Sequence, residues 1–267
     1  MLGAAFLLIL VVLAIFAPSI APDDPLRQQL ALRLQPPSLA HLLGMDDYGR
    51  DQLSRLIFGT RATFLGALHA VAVGAVLGVP AGLLAGYFAE RWIDSILSRV
   101  MDALMSIPAL ILALTIVAVL GFGLINAMTA VGIVIAPRFF RVMRSATQDV
   151  RAETYIEASE ALGCSTWRIV SHHVLPNALS PLVVQISVAL GAAVAAEAGL
   201  SFLGVGVRIP HASWGSMLNT ASANITLAQH LVWAPGLMIA ATVLAFAVLG
   251  DGLRDAIGTR RSASGTP

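Results

Sequence analysis

The side chains able to do chemistry are few in this sequence, and they do not converge. His172 and His173 are the nearest thing to a metal-ligand pair, but neighbours one apart do not share a helical face. No carboxylate or cysteine cluster completes a site around them, so no metal is expected. Asp46 and Asp47 lie close to Arg50, Arg55 and Arg61, where adjacent acids read as solvated or salt-bridged rather than as an acid–base pair. Cys164 is the single cysteine, which excludes an internal disulfide framework, and nothing beside it would depress its thiol pKa. Glu197, near the end of an apolar run, keeps two readings: a functional acid inside a membrane, or an interfacial Glu that pairs with an arginine or reaches water. All sixteen basic residues are arginine. A P-loop needs a lysine to reach nucleotide phosphates, so the chain is not expected to hold an ATPase site. No catalytic residue and no bound cofactor is expected.

The elements that must carry these residues are set by composition. Of 267 residues, 57% are hydrophobic and 12% charged, too few charges to clothe a soluble domain of this length. A net charge of +1 argues against a nucleic-acid partner. A hydrocarbon core about 30 Å thick takes roughly 20 apolar residues as a helix. Such runs lie at 2–21, 62–89, 103–137, 177–196 and 232–250. The run 103–137 is too long for one crossing and is broken at Gly121-Phe122-Gly123, giving six helices. No alternation of period two points to a barrel, and helices satisfy their own backbone groups in lipid. The fold class is therefore all-α and polytopic: a first helix over 1–22, a loop over 23–61, and a five-helix domain over 62–257. A short tail over 258–267 is expected to be a mobile end. The first run lacks the positive flank of a cleaved signal peptide and exceeds its usual apolar length. With the amino terminus inside, inner segments hold ten arginines and outer ones six, which favours both termini in the cytoplasm.

Two spacings carry the functional reading. Glu157-Ala158-Ser159 is followed by Ala161, Leu162 and Gly163, and Gly163 is followed twelve and thirteen residues on by Leu175-Pro176. Ala158, Ala161, Leu162 and Ser165 recur at helical spacing as a small, mildly apolar stripe, with Glu153, Glu157 and Glu160 on another face. Such a helix can seat in a groove of a partner protein or lie on lipid. Gly163 would end it, and Pro176 would open the next helix. In the 62–89 run, Gly74, Gly78, Gly82 and Gly86 form a face that permits close helix approach, either to a partner or within the chain.

With these spacings the sequence resembles the permease subunits of ATP-binding-cassette (ABC) importers, in the dipeptide/oligopeptide/nickel branch. Further blocks extend the resemblance: 43–51 with 54–61, Met101-Asp102 with Ile107-Pro108, 199–204, Ser213-Trp214-Gly215 and 249–255. Length and first loop resemble the second, C-type permease of the pair. The resemblance implies a type I importer fold in a prokaryotic cytoplasmic (inner) membrane, and a coupling loop over 145–177 docking on an ATPase. The implied partners are a second permease subunit, two ATPase subunits that use ATP and Mg, an extracytoplasmic solute-binding protein and the lipid bilayer. Peptides are the implied cargo, with nickel chelates and glutathione as alternatives. An ion-coupled secondary transporter would want charged or broken-helix sites near the midplane, and an embedded enzyme would want converging catalytic groups. The runs show neither.

Overall fold

The computed structural model describes residues 2–263, with side chains through Ala256; the expected mobile tail over 258–267 lies outside those side chains, and its last four residues lie outside the described residues altogether. In chain order the helices are α1 (Leu2–Ile15), α2 (Ala17–Ile20), α3 (Gln52–Tyr87), α4 (Trp92–Ser106), α5 (Ala109–Leu120) and α6 (Leu124–Arg151). They continue with α7 (Thr154–Ala161), α8 (Thr166–Ile169), α9 (Leu175–Ala178), α10 (Ser180–Phe202), α11 (Trp214–Ala223) and α12 (His230–Ala263). A π-turn, Val170–Val174, joins α8 to α9. Among the described residues there is no strand, only an isolated bridge between Met45 and Asp51.

Among the described residues four helices are long and apolar enough to cross a membrane: α3, α6, α10 and α12. The other two expected crossings differ from the sequence reading. The first run is interrupted at Phe16 because Pro18 opens α2 and cannot continue the helical hydrogen-bond ladder. The run after Ala103 is not one straight helix. Ile107, held extended ahead of Pro108 (φ −94°, ψ 133°), ends α4, and α5 leaves at 97° to it. At 12 residues α5 spans only about 18 Å, short of a full hydrocarbon core. Gly121 and Gly123, at φ +89° and +133°, make the turn into α6. The set of six therefore stands as four long helices, one bent pair and the short α1.

The helix carrying the 62–89 run begins at Gln52. Asp51 caps it, its carboxylate accepting from the Ser54 amide at 2.7 Å. α3 packs along α6 more extensively than any other pair of described helices, and the four glycines permit it. A Cβ on Gly74 would sit 2.7 Å from Ile135 Cγ1, and one on Gly82 would sit 2.5 Å from the Phe140 carbonyl oxygen. A Cβ on Gly86 would meet Thr147 Cβ at 2.6 Å, and one on Gly78 would overlap the Ala136 carbonyl. Gly132 of α6 gives way in return to Val73 of α3. The glycine face is thus turned inward on α6. α10 and α12 close the bundle around a core that includes Met128, Phe139, Met143 and Trp214, and the Trp214 indole donates to the Leu56 carbonyl at 3.2 Å.

Candidate functional site

The docking residues inferred from sequence fall on a hairpin between α6 and α10. Of α7 only Ile156 is buried; Glu157, Ala158, Glu160 and Ala161 are exposed and Ser159 is half-buried. The Ser159 hydroxyl donates to the Tyr155 carbonyl at 2.8 Å, so it turns back onto its own helix. Helix α7 stops by geometry. Gly163, at φ +76°, donates to the Glu160 carbonyl (2.9 Å), and the Cys164 amide donates to that of Ser159 (3.1 Å). This pair of bonds is a Schellman cap, which a glycine at that position favours. Ser165 falls beyond the cap, at the start of α8. Of the expected stripe, Ala158, Ala161 and Leu162 therefore share α7 and its cap, and Ser165 does not.

Leu175 and Pro176 lie on the returning limb. Pro176 cannot donate to a carbonyl one turn back, and the chain absorbs the misfit in the π-turn, where the Leu175 amide reaches the Val170 carbonyl. Asn177 Nδ2 donates to the His173 carbonyl (2.7 Å) and to the Tyr155 hydroxyl (3.3 Å), tying the two limbs together. Two large apolar side chains stand out near the tip: Leu162 is 85% exposed and Trp167 78%. Exposed apolar groups gathered on a rigid turn mark an interaction surface. Trp167 was missed in the sequence reading; its signal was a tryptophan four residues past Gly163 in a polar stretch.

The hairpin is fastened to the bundle by side chains that sequence spacing could not pair. The Tyr87 hydroxyl, at the end of α3, donates to Glu160 Oε1 on α7 at 3.3 Å. The Arg151 guanidinium lies 5.2 Å from the Tyr87 ring centroid and donates to the Tyr87 carbonyl. Nearby, Arg144 makes a bidentate pair with Asp94, both bonds 2.7 Å, and Arg141 donates to Asp102 at 2.8 Å. Helix α4 is thereby clamped to α6. These contacts join the hairpin to the ends of α3 and α6.

At the other end of the bundle the acidic–basic stretch folds into a buried knot. Asp46 Oδ2 accepts from Arg50 Nε (2.7 Å) and lies 3.2 Å from Arg55 Nε, while Asp51 lies 3.0 Å from His41 Nδ1. Arg55 also donates to the Pro25 and Pro210 carbonyls. Burial, with Asp46 beside it, holds the Asp47 carboxyl above its ordinary pKa. This geometry is a fastening for the 23–51 loop, with Asp46 paired to Arg50 and Arg55 and Asp51 to His41. Glu197 is 1% exposed and accepts from two hydroxyls, Thr63 (3.0 Å) and Ser201 (2.6 Å), so α3 and α10 share one carboxylate that meets neither an arginine nor solvent.

A bundle of long apolar helices with an exposed helical hairpin between α6 and α10 is the architecture of a membrane-spanning transport subunit. The chain belongs to the family of binding-protein-dependent transport system inner membrane components, whose pattern matches residues 78–263, and is a permease subunit of an ABC importer. Residues 1–37 match the N-terminal TM domain of oligopeptide transport permease C. The chain is 41% identical over 253 residues to the glutathione transport system permease protein GsiD of Pectobacterium atrosepticum, covering 94% of this chain and 84% of that one. It is 42% identical over 261 residues to the di/tripeptide transport system permease protein DppC of Pseudomonas aeruginosa, covering 96% and 86%. Among solved structures, the MetNI methionine ABC transporter in an inward-facing conformation shares the fold at TM-score 0.61 and 23% identity, covering 74% of this chain and 94% of that one.

Proposed function

We propose that this chain forms one half of the pathway of an ATP-driven importer for di- and oligopeptides, and that the 152–178 hairpin is the surface on which a separate ATPase subunit docks. The observation that carries the reading is the hairpin itself: Leu162 and Trp167 exposed near its tip, with Tyr87 and Arg151 linking its base to α3 and α6. Glu157, Ala158, Ser159 and Ala161 shape the docking helix, Gly163 ends it, and Leu175-Pro176 return the chain to α10. ATP and Mg belong to the partner subunits; this subunit does no covalent chemistry. A second permease completes the pathway, an extracytoplasmic binding protein delivers the cargo, and both termini face the cytoplasm. Peptides are supported by relatives that are named for dipeptides, di/tripeptides and glutathione, itself a tripeptide.

The test is to tag the subunit, crosslink gently in native membranes and identify its companions. Two ATPase chains, a second permease and a binding protein are expected. Peptide uptake should stop when ATP is depleted and persist with an ionophore at constant ATP. Recovery of this chain alone, with uptake that collapses on adding the ionophore, would move the protein to the ion-coupled class.

A further inference from the structure

Helix α6 carries three arginines one turn apart: Arg138, Arg141 and Arg144. Two are neutralised from α4, by Asp102 and Asp94. Arg138 is exposed, and among the described residues no hydrogen bond or ion pair reaches it. It lines a groove of about 520 Å³ between the α4–α5 elbow, α6 and α10, whose other walls are apolar, with Met105, Pro108, Leu110, Val134 and Ala195 among them. Gly199 lies on the α10 wall, where a Cβ would meet nothing within 4 Å.

An unpaired guanidinium in this setting needs a partner from outside the chain. Arg138 lies roughly 20 Å along α6 from its Leu124 end, counting about 1.5 Å per residue, at the inner margin of the apolar run that ends at Pro137. A charge facing lipid tails is unfavourable, and arginines beside an apolar run face interior or water-filled surfaces. The groove has the size and character of a small-molecule site, apolar walls with one orienting polar group. The group that a planar guanidinium binds best there is a carboxylate, by two parallel hydrogen bonds.

We infer that Arg138 is a specificity-determining residue that meets the carboxylate of the transported solute as it passes along this groove. The inference rests on the peptide-import reading above. A free peptide carries a carboxylate at its C-terminus, and the apolar walls would accept side chains of varied shape without selecting among them.

The test uses the complete importer in nanodiscs, with binding protein loaded to saturation and one dipeptide presented as the free acid or as its C-terminal amide. Failure of the wild-type complex to take up peptide with ATP would overturn the function reading and not this one. Given wild-type uptake, Arg138→Gln should lower the maximal rate for the free acid about tenfold, in keeping with loss of a charge-assisted hydrogen bond. The rate for the amide should not change, and half-saturation by loaded binding protein should stay the same. Arg138→Lys, which keeps the charge but not the two parallel hydrogen bonds, should recover only part of the rate. Equal loss on acid and amide, or a loss that follows the anionic-lipid content of the disc, would overturn the inference in favour of a structural or lipid contact. As an independent measurement, Arg138→Cys in a Cys164→Ser background should react with a hydrophilic anionic thiol reagent, more slowly when peptide is being transported. Reaction only with a membrane-permeant reagent would place the residue against lipid and overturn the inference.

Discussion

At the residue scale, two positions separate strain from pairing. Gly163 sits at φ +76° with nothing within 4 Å of where a Cβ would be, so a substitution there meets backbone strain and no clash. Gly163→Ala should destabilise the hairpin by about 1 kcal/mol and leave the bundle intact. Gly163→Glu adds the same strain and a charge at the docking surface; uptake should be lost while the amount of subunit in the membrane is unchanged. Matched immunoblots and uptake assays check this, and full uptake in the Glu variant would remove the hairpin from the coupling role. Asp46 is the opposite case. Asp46→Ala leaves Arg50 and Arg55 buried without their shared acceptor. Breaking such a pair costs about 3–5 kcal/mol, so the midpoint of thermal unfolding of the purified complex should fall by several degrees. An unchanged midpoint would mean that the knot contributes little to stability.

At the element scale the controlling contact is α3 against α6. Three of the four glycines have a backbone carbonyl of α6 closest to the space a Cβ would take, and a carbonyl within a helix cannot rotate aside. Overpacking of this kind typically costs about 1–3 kcal/mol and more where backbone must move. Gly82→Leu should therefore sharply reduce the folded fraction recovered on size-exclusion chromatography. Gly236→Ala is the control: that glycine, on α12, has open space around it and should give wild-type recovery. Equal recovery of both variants would show that the helices can separate without penalty. The bent α4–α5 pair follows from a local cause, Pro108 after Ile107, but its position on α6 follows from Arg144–Asp94 and Arg141–Asp102.

At the scale of the whole molecule, function depends on which side of the membrane each end of the bundle faces. The Asp46–Arg50–Arg55 knot and the 152–178 hairpin belong on opposite sides if the arginine distribution sets the topology. Leu39 is 99% exposed on the first loop, and Cys164 on the hairpin is half-buried. In intact cells stripped of outer barriers, Leu39→Cys should react with an impermeant thiol reagent. Cys164 should react only after the inner face is opened. Labelling of both from one side would refute the proposed topology and with it the cytoplasmic docking surface.

The division between sequence and tertiary structure follows the range of the forces involved. Solvent class is a sum over composition, so the polytopic helical fold and most of its apolar crossings were legible in the sequence. Caps and turns are local, so Gly163 announced the end of α7 by residue type, whereas Pro176 opens no separate helix and sits within a helical stretch just after the π-turn. The elbow at Pro108 was legible as a proline, but a run of apolar letters does not say whether it is one straight helix or a bent pair. Pairings across the fold were decided only in three dimensions. Spacing along a single helix cannot reveal that Tyr87 meets Glu160, that Asp94 meets Arg144, or that the glycine face turns onto α6 rather than outward. The same is true of Glu197 and Arg138. One is buried among hydroxyls and the other, among the described residues, is left without a partner, because the helices that surround each come from distant parts of the chain.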